Sequence, residues 1–97
     1  MRFEWDEEKN RANVKKHGLS FVEAAEMFHG PILVRPDTRD DYGEKRWIGI
    51  GMTNGRVAFV AFTEGPEDTI RIISLRKATH EERKEYEKGL PDGLETN

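Results

Sequence analysis

The sequence contains no cysteine, no long hydrophobic segment and no overall positive charge. The absence of cysteine excludes disulfides, thiolate metal ligands and cysteine nucleophiles, so packing alone must stabilise the fold. The longest apolar stretches, such as residues 57–62, are far shorter than the roughly 20 residues that span a bilayer. We therefore expect a cytoplasmic protein that does not enter the membrane.

The 97-residue length is typical of one domain with a single small core. No repeat, linker or low-complexity segment divides the chain, which predicts one domain over residues 1–97. Gly89 and Pro91 are residue types that favour the end of a helix, so we expect the last helix of the chain to end at these residues. We expect residues 90–97 to form a flexible tail.

The formal net charge of −3 arises at the C-terminal end of the chain, because residues 79–97 hold six acidic and three basic residues. Residues 1–78 are neutral, yet residues 9–17 and 71–77 contain bases and no acid. Such basic islands can bind phosphate, although a charge run is more often a solvated surface. With the acidic excess elsewhere, we expect the islands to lack an acidic partner within the chain.

Capping signals predict three helices. Asp6 is an N-cap residue for a first helix over residues 7–16, which Gly18 ends. Ser20 and Glu23 have the spacing of a capping box before a second helix over residues 21–28. Thr79 and Glu82 repeat that spacing at the start of the third helix.

The other segments predict strands. A short strand around Phe3 begins the chain, and residues 32–35, 45–52, 56–63 and 69–77 are rich in apolar and β-branched residues. Asn54-Gly55 favours a two-residue hairpin between two of these strands. The predicted order is β-α-α-β-β-β-β-α, which indicates an α+β fold with a twisted, mainly antiparallel sheet and helices packed on it.

Arg71 and Arg76 flank the apolar centre of the last predicted strand. Strict alternation without a bulge places them on opposite faces of the sheet. In a structural interpretation, both lie at strand ends and reach solvent or a carboxylate. In a functional one, at least one guanidinium points into a groove, where its planar donors fit a phosphate.

Three further side chains of the first helix lie with Lys9 on one helical stripe: Asn13, Lys16 and His17. They can form a polar binding surface, with His17 as a proton donor. Cations in a last helical turn are also explained by the helix dipole alone. Tyr86 in the third helix either leans on the core or presents its phenol to a ligand.

The sequence lacks a glycine-rich phosphate loop, a serine-hydrolase elbow and a zinc-protease motif. Neither His29 nor His80 stands at metal-ligand spacing to another histidine. We therefore predict no metal site and no cofactor.

Three ordered blocks of the chain resemble BrnT-family toxins. The first runs from "FEWDEEKN" through "KKHG" to the helix "FVEAAEMF", and the others are "RWIGIG" and "RIISLRKATHEERKEY". Together they cover residues 2 to about 88. One departure is "TEGPED" after Phe62, where many members have an arginine soon after the threonine.

The resemblance implies a RelE-like fold and the ribonuclease half of a type II toxin–antitoxin pair. It implies a BrnA-like ribbon-helix-helix antitoxin as partner, RNA as substrate, and contact with operator DNA only through the antitoxin. Cleavage would proceed by metal-independent attack of the 2′-hydroxyl, which inhibits translation and growth. An alternative from another class is a non-catalytic module of this fold that docks a DNA-binding partner as co-repressor.

In the catalytic interpretation, Arg71 and Arg76 hold phosphates and stabilise the transition state, and His17 and Tyr86 are candidates for positioning and proton transfer. The general base stays unassigned. The predicted RNA-binding residues are Lys9, Asn13, Lys16, Arg46 and Lys77.

Overall fold

The structure, a computed structural model, describes residues 1–89, so the predicted tail at 90–97 and the role of Pro91 lie outside the described residues. The predicted element order is confirmed. The elements are β1 Arg2–Glu4, α1 Glu7–His17, α2 Phe21–Met27, β2 Ile32–Pro36, β3 Trp47–Thr53, β4 Arg56–Gly65, β5 Thr69–Lys77 and α3 His80–Gly89.

The five strands form one mixed sheet in the order β1-β5-β4-β3-β2. The pairs β2–β3, β3–β4 and β4–β5 are antiparallel, whereas β1 joins β5 in parallel, with Arg2 opposite Thr69. Asn54 and Gly55 both have positive φ, as the predicted two-residue hairpin between β3 and β4 requires.

The predicted caps are present at all three helices. Asp6 accepts hydrogen bonds from the backbone N–H groups of Glu8 and Lys9, and Gly18 after α1 has a φ of 73°. Ser20 and Glu23 form the full capping box of α2. At α3, Thr79 and Glu82 exchange side-chain to backbone hydrogen bonds of 3.1 and 2.9 Å. Local sequence therefore determines where the helices begin.

Most of the core lies on the sheet face that α2 covers, which we call the α2 face. Leu19, Phe21 and Met27 pack there against side chains of β4 and β5, including Val60 and Leu75. Gly49 and Gly51 in β3 make room on this face, because a Cβ at Gly49 would lie only 2.8 Å from Ile32 Cδ1. This close approach gives the glycines of "RWIGIG" a structural explanation.

On the opposite face, Tyr86 of α3 packs against Ile48, Ile50 and Phe59 of the sheet in a smaller buried cluster. We call this side of the sheet the α3 face. Helix α3 contacts β2 and β3, so it covers only part of this face. The remaining surface is where charged side chains can lie.

A β-bulge in β5 corrects the expected positions of the two arginines. Ala61 pairs with Ser74 but Phe62 pairs with Ile72, so Ile73 is an extra residue in β5. Ile72 and Leu75 consequently both face the α2 side core. Arg71 and Arg76, which strict alternation separates, therefore share the α3 face.

Asn13 links α1 to the part of the β5 edge that does not pair with β1. Its Nδ2 donates to the carbonyls of Leu19 and Leu75, each at 2.8 Å, and its Oδ1 accepts from the Leu75 N–H at 3.1 Å. Asn10 similarly accepts from the Phe21 N–H. Because these asparagines are the buried residues of α1, polar contacts rather than an apolar stripe anchor this helix.

Within residues 1–89 there is no helix with the length and hydropathy needed to cross a bilayer.

Candidate functional site

Arg76 is the central charged residue of the α3 face. Its guanidinium carbon lies 3.9 Å from the centroid of the Phe59 ring, and its two terminal nitrogens donate to both oxygens of Glu82 at 2.9 and 3.0 Å. The Arg76 side chain is 30% exposed and that of Glu82 is 16% exposed. Burial raises the pKa of Glu82, but hydrogen bonds from Arg76 and Thr79 and the charge of Arg76 outweigh it, so this pKa lies below its usual value.

Arg39, from the loop between β2 and β3, approaches the same aromatic ring. Its guanidinium carbon lies 5.1 Å from the Phe59 centroid. The carboxylate of Asp37, which is fully buried, accepts from the backbone N–H and from two side-chain nitrogens of Arg39 at 2.8–3.1 Å. These hydrogen bonds hold the pKa of Asp37 at about 2, and they raise the pKa of Arg39.

Arg35 of β2 lies on the same face, beside α3. Its Nε and one terminal nitrogen donate to both oxygens of Glu85 at 2.8 and 3.3 Å, which raises the pKa of Arg35. The positive charge of Arg39 opposes that rise, so the two guanidiniums are close enough to interact. We call Arg35, Arg39 and Arg76 the arginine cluster.

The other two predicted arginines lie outside this cluster. Arg71 forms an ion pair of 3.1 Å with Glu4 of β1, and its side chain is 47% exposed. Arg46 stacks 4.0 Å from the centroid of Tyr42 and pairs with Glu44 at 3.1 Å. Five arginines of this region thus each hold a carboxylate, so the expectation that the basic island at 71–77 lacks acidic partners is wrong for Arg71 and Arg76.

Tyr86 lies on the side of α3 that packs against the sheet, where it is 6% exposed. Its hydroxyl donates to the carbonyl oxygen of Pro31 at 3.0 Å, and burial raises the pKa of its phenol. The core placement that the sequence allowed is thus observed. The catalytic role of Tyr86 stays a prediction, and it requires the hydroxyl to leave Pro31.

The residues predicted on α1 are not brought to the arginine cluster. Lys9, Lys16 and His17 are exposed on α1, which packs along the edge of β5. Asn13 is 7% exposed and its amide is fully bonded to backbone groups. The expected surface stripe is therefore corrected at Asn13, which is buried because it supplies hydrogen bonds to a strand edge.

The carbonyl of Lys77 accepts a hydrogen bond from Arg76 at 3.1 Å, and Lys77 also lines a pocket of about 370 Å³ between the β3–β4 hairpin and α3. Arg56, Arg83 and Glu87 also line this pocket. Among residues 1–89, no group of three or more histidine and acidic side chains could hold a metal ion.

The arginine cluster can bind an anion with oxygens in a plane or tetrahedron. Each guanidinium offers paired donors, and a phosphate can take the place of the carboxylate that holds them. The Arg39 and Arg76 heads both lie against the Phe59 ring, an apolar surface beside which electrostatic interactions are stronger than in water. Fold and site together define a small α+β protein with a cluster of arginines on one face of its sheet.

Comparison with known proteins identifies the family. The model of the family described as "Ribonuclease toxin, BrnT, of type II toxin-antitoxin system" matches residues 5–82. The chain therefore belongs to the BrnT family of ribonuclease toxins. The resemblance that the sequence blocks indicated is confirmed.

A solved structure agrees with this assignment. The 1.1 Å crystal structure of the Brucella abortus ribonuclease toxin BrnT superposes with a TM-score of 0.67 at 33% sequence identity, covering 82% of this chain and 99% of that one. No curated protein sequence is similar enough to count as a match.

Sequence reasoning missed Arg35, Arg39 and Phe59. The segment "PDTRDDYGE" reads as an acidic loop, and Asp37 and Arg39 stand within it two residues apart. This spacing, which allows an aspartate and an arginine to form a bidentate pair, was the available signal for Arg39. The approach of Arg39 to Phe59, twenty residues further along, had no signal in the sequence.

Proposed function

We propose that this chain cleaves RNA without a metal ion, by attack of a ribose 2′-hydroxyl on the adjacent phosphodiester, and that a ribbon-helix-helix antitoxin inhibits it in the cytoplasm. The attack forms a bond from the 2′-oxygen to phosphorus and breaks the bond from phosphorus to the 5′-oxygen. A base takes the 2′ proton, and an acid gives a proton to the leaving oxygen. The observation that carries this proposal is the pair of guanidiniums, from Arg39 and Arg76, over the single ring of Phe59.

Arginine suits the two steps that need positive charge. The scissile phosphate must be held in line, and the charge that grows on its oxygens must be stabilised. Arg76 fits both tasks because Glu82 fixes its head while 30% of the side chain stays exposed. On substrate binding, phosphate oxygens replace one or both carboxylate oxygens on the guanidinium.

Arg71 shares the face and would hold a phosphate further along the strand, after release from Glu4. His17 and Tyr86 remain candidates for proton transfer, and Lys9, Lys16, Arg46 and Lys77 for contacts with outer phosphates. For Asn13 we propose only an indirect role, because its amide holds β5 in place.

The proposed antitoxin lays an acidic or amphipathic segment across the arginine cluster and thereby excludes RNA. The carboxylates of Glu82 and Glu85 support this proposal, because the guanidiniums of Arg76 and Arg35 each donate to both oxygens of an acidic side chain. Operator DNA would contact the toxin only through the antitoxin.

One observation favours the second candidate, a non-catalytic module that docks a DNA-binding partner. Every arginine of the cluster already has a carboxylate partner, and such pairs can serve structure alone. Growth arrest on expression without a partner distinguishes the two functions, because the module does not cleave RNA.

The test is cleavage of free and ribosome-bound RNA by the purified chain in excess EDTA. We expect cleavage to persist in EDTA, and Arg76→Ala to lower the rate by about 10²–10³, since a preorganised charge donor is lost. Arg2→Ala is the matched control, because Arg2 is exposed and also pairs with a glutamate, Glu67, at 3.3 Å.

Activity that disappears with EDTA and returns with a divalent ion contradicts the metal-free mechanism. Equal rates for Arg76→Ala, Arg2→Ala and the unmodified chain contradict the role of the arginine cluster. Failure on both RNA forms, together with normal growth, supports the docking module.

A further inference from the structure

The pocket between the β3–β4 hairpin and α3 differs in charge from the arginine cluster. Arg56, Lys77 and Arg83 line it, with Glu87 as the one acidic lining residue. Among the residues that the structure describes, these three cations form no ion pair, and Glu87 forms none with Arg83 although the two are four residues apart on α3. We call this the hairpin pocket.

Three cations that have no ion pair within residues 1–89 repel each other around one pocket, so an anion that enters it lowers their electrostatic energy. In the arginine cluster, by contrast, each guanidinium already has an internal carboxylate. An anion in the hairpin pocket therefore meets three cations and one carboxylate, whereas an anion at the arginine cluster has to displace a carboxylate. Its volume of about 370 Å³ falls in the range of small-molecule sites and is ample for a nucleotide phosphate.

The position of the pocket connects it with the proposed cleavage site. Lys77 directly follows Arg76 on β5, and Arg83 directly follows Glu82 on α3. Glu82 and Glu85 lie on the flank of α3 that faces the arginine cluster, and Arg83 and Glu87 lie on the flank that faces the pocket. The two sites thus lie on either side of the beginning of α3.

We propose that the hairpin pocket binds a phosphate of the RNA strand that flanks the cleaved one. Lys77 and Arg83 supply the main contacts, with Arg56 at the hairpin end of the pocket. The strand passes the beginning of α3, and Glu87 weakens the attraction. This inference rests on the proposed function, because it extends the same RNA beyond the arginine cluster.

The test measures binding, not cleavage. Fluorescence anisotropy with a short 2′-O-methyl RNA, which lacks the attacking hydroxyl, is recorded for the full chain at several salt concentrations. We expect Arg83→Ala and Lys77→Ala each to weaken binding and to reduce the slope of log affinity against log salt by about 0.7, the value for one lost phosphate contact on a single strand.

Lys84→Ala is the matched control, because Lys84 is the exposed neighbour of Arg83 on α3 and does not line the pocket. It changes the net charge equally, so we expect it to leave the slope unchanged. Glu87→Gln should strengthen binding, whereas Glu81→Gln, on an exposed residue outside the pocket, should not.

Equal slopes for Arg83→Ala and Lys84→Ala would overturn the proposal, since net charge would then explain the effect. Normal RNA binding with weakened antitoxin binding would also overturn it, and would assign the pocket to the antitoxin. The proposed function is judged separately: loss of cleavage in Arg76→Ala supports it whether or not the pocket variants alter binding.

Discussion

The two faces of the sheet carry different kinds of residue. On the α2 face, ten buried hydrophobic residues form one cluster, whereas the α3 face has four buried residues and three arginine–carboxylate pairs around them. Apolar burial on the first face supplies most of the stabilising free energy. The second face is therefore freer to carry charge, and substitutions should separate the two roles.

The largest effect should come from Phe21→Ala on the α2 face. Phe21 is fully buried, so its truncation should lower the free energy of unfolding by about 3–5 kcal/mol, a large part of the ~5–15 kcal/mol of a small domain. Urea unfolding measures this. Val22→Ala is the control, because Val22 is 61% exposed and should change stability little. A loss below about 1 kcal/mol for Phe21→Ala would contradict the assignment of the core.

Asn13→Ala should come next. It leaves the Leu75 N–H and C=O and the Leu19 C=O without their partner, which costs about 2–3 kcal/mol of unfolding free energy. Lys16→Ala on the same helix should cost almost nothing, because Lys16 is exposed. Because Asn13 acts only through its hold on β5, the RNA affinity of the folded Asn13→Ala protein should fall less than that of Lys16→Ala. A drop in affinity greater than that of Lys16→Ala would return Asn13 to the RNA-binding surface.

Asp37 on the α3 face should give a smaller, pH-dependent effect. Its pKa falls from 3.8 to about 2 on folding, so its contribution is present above pH 3.8 and is lost as the pH falls through about 2. The contribution at neutral pH is at most about 2 kcal/mol. Unfolding measured between pH 5 and 2 for Asp37→Asn should show a flatter pH dependence than the unmodified chain.

Arg71→Ala should have the smallest effect on stability. Its ion pair with Glu4 joins two side chains that are each about half exposed, and such pairs contribute less than about 1 kcal/mol. RNA cleavage should nevertheless fall, if Arg71 holds a phosphate as proposed. Should the melting temperature fall steeply while the cleavage rate of the folded fraction holds, Arg71 would be a structural residue.

The features that the sequence predicted well depend on neighbouring residues. Asp6, Ser20 with Glu23, and Thr79 with Glu82 cap helices through contacts within three residues, and Asn54-Gly55 turns within two. The bulge at Ile73, in contrast, depends on how β4 and β5 pair. The parallel direction of β1 depends on its pairing with β5, a strand more than sixty residues further along the chain. The local sequence pattern predicts neither feature.

The site follows the same rule. Arg76 stood out because it ends an apolar strand, but its contact with Phe59 and its pairing with Glu82 depend on the assembled sheet and helix. Arg39 reaches that ring from a loop whose acidic composition concealed it. Asn13 was assigned to a surface stripe because helical spacing says nothing about an open strand edge.

The contact of Asn13 with Leu75 also bears on the order in which the protein is made. The two residues are 62 positions apart, and Arg76 directly follows Leu75. At a synthesis rate of about 5–20 residues per second, roughly 3–12 seconds pass between the synthesis of Asn13 and that of Leu75. The N-terminal half cannot complete its packing before the segment with Arg71 and Arg76 exists. A nascent chain interrupted before β5 therefore carries neither a finished fold nor the proposed cleavage site.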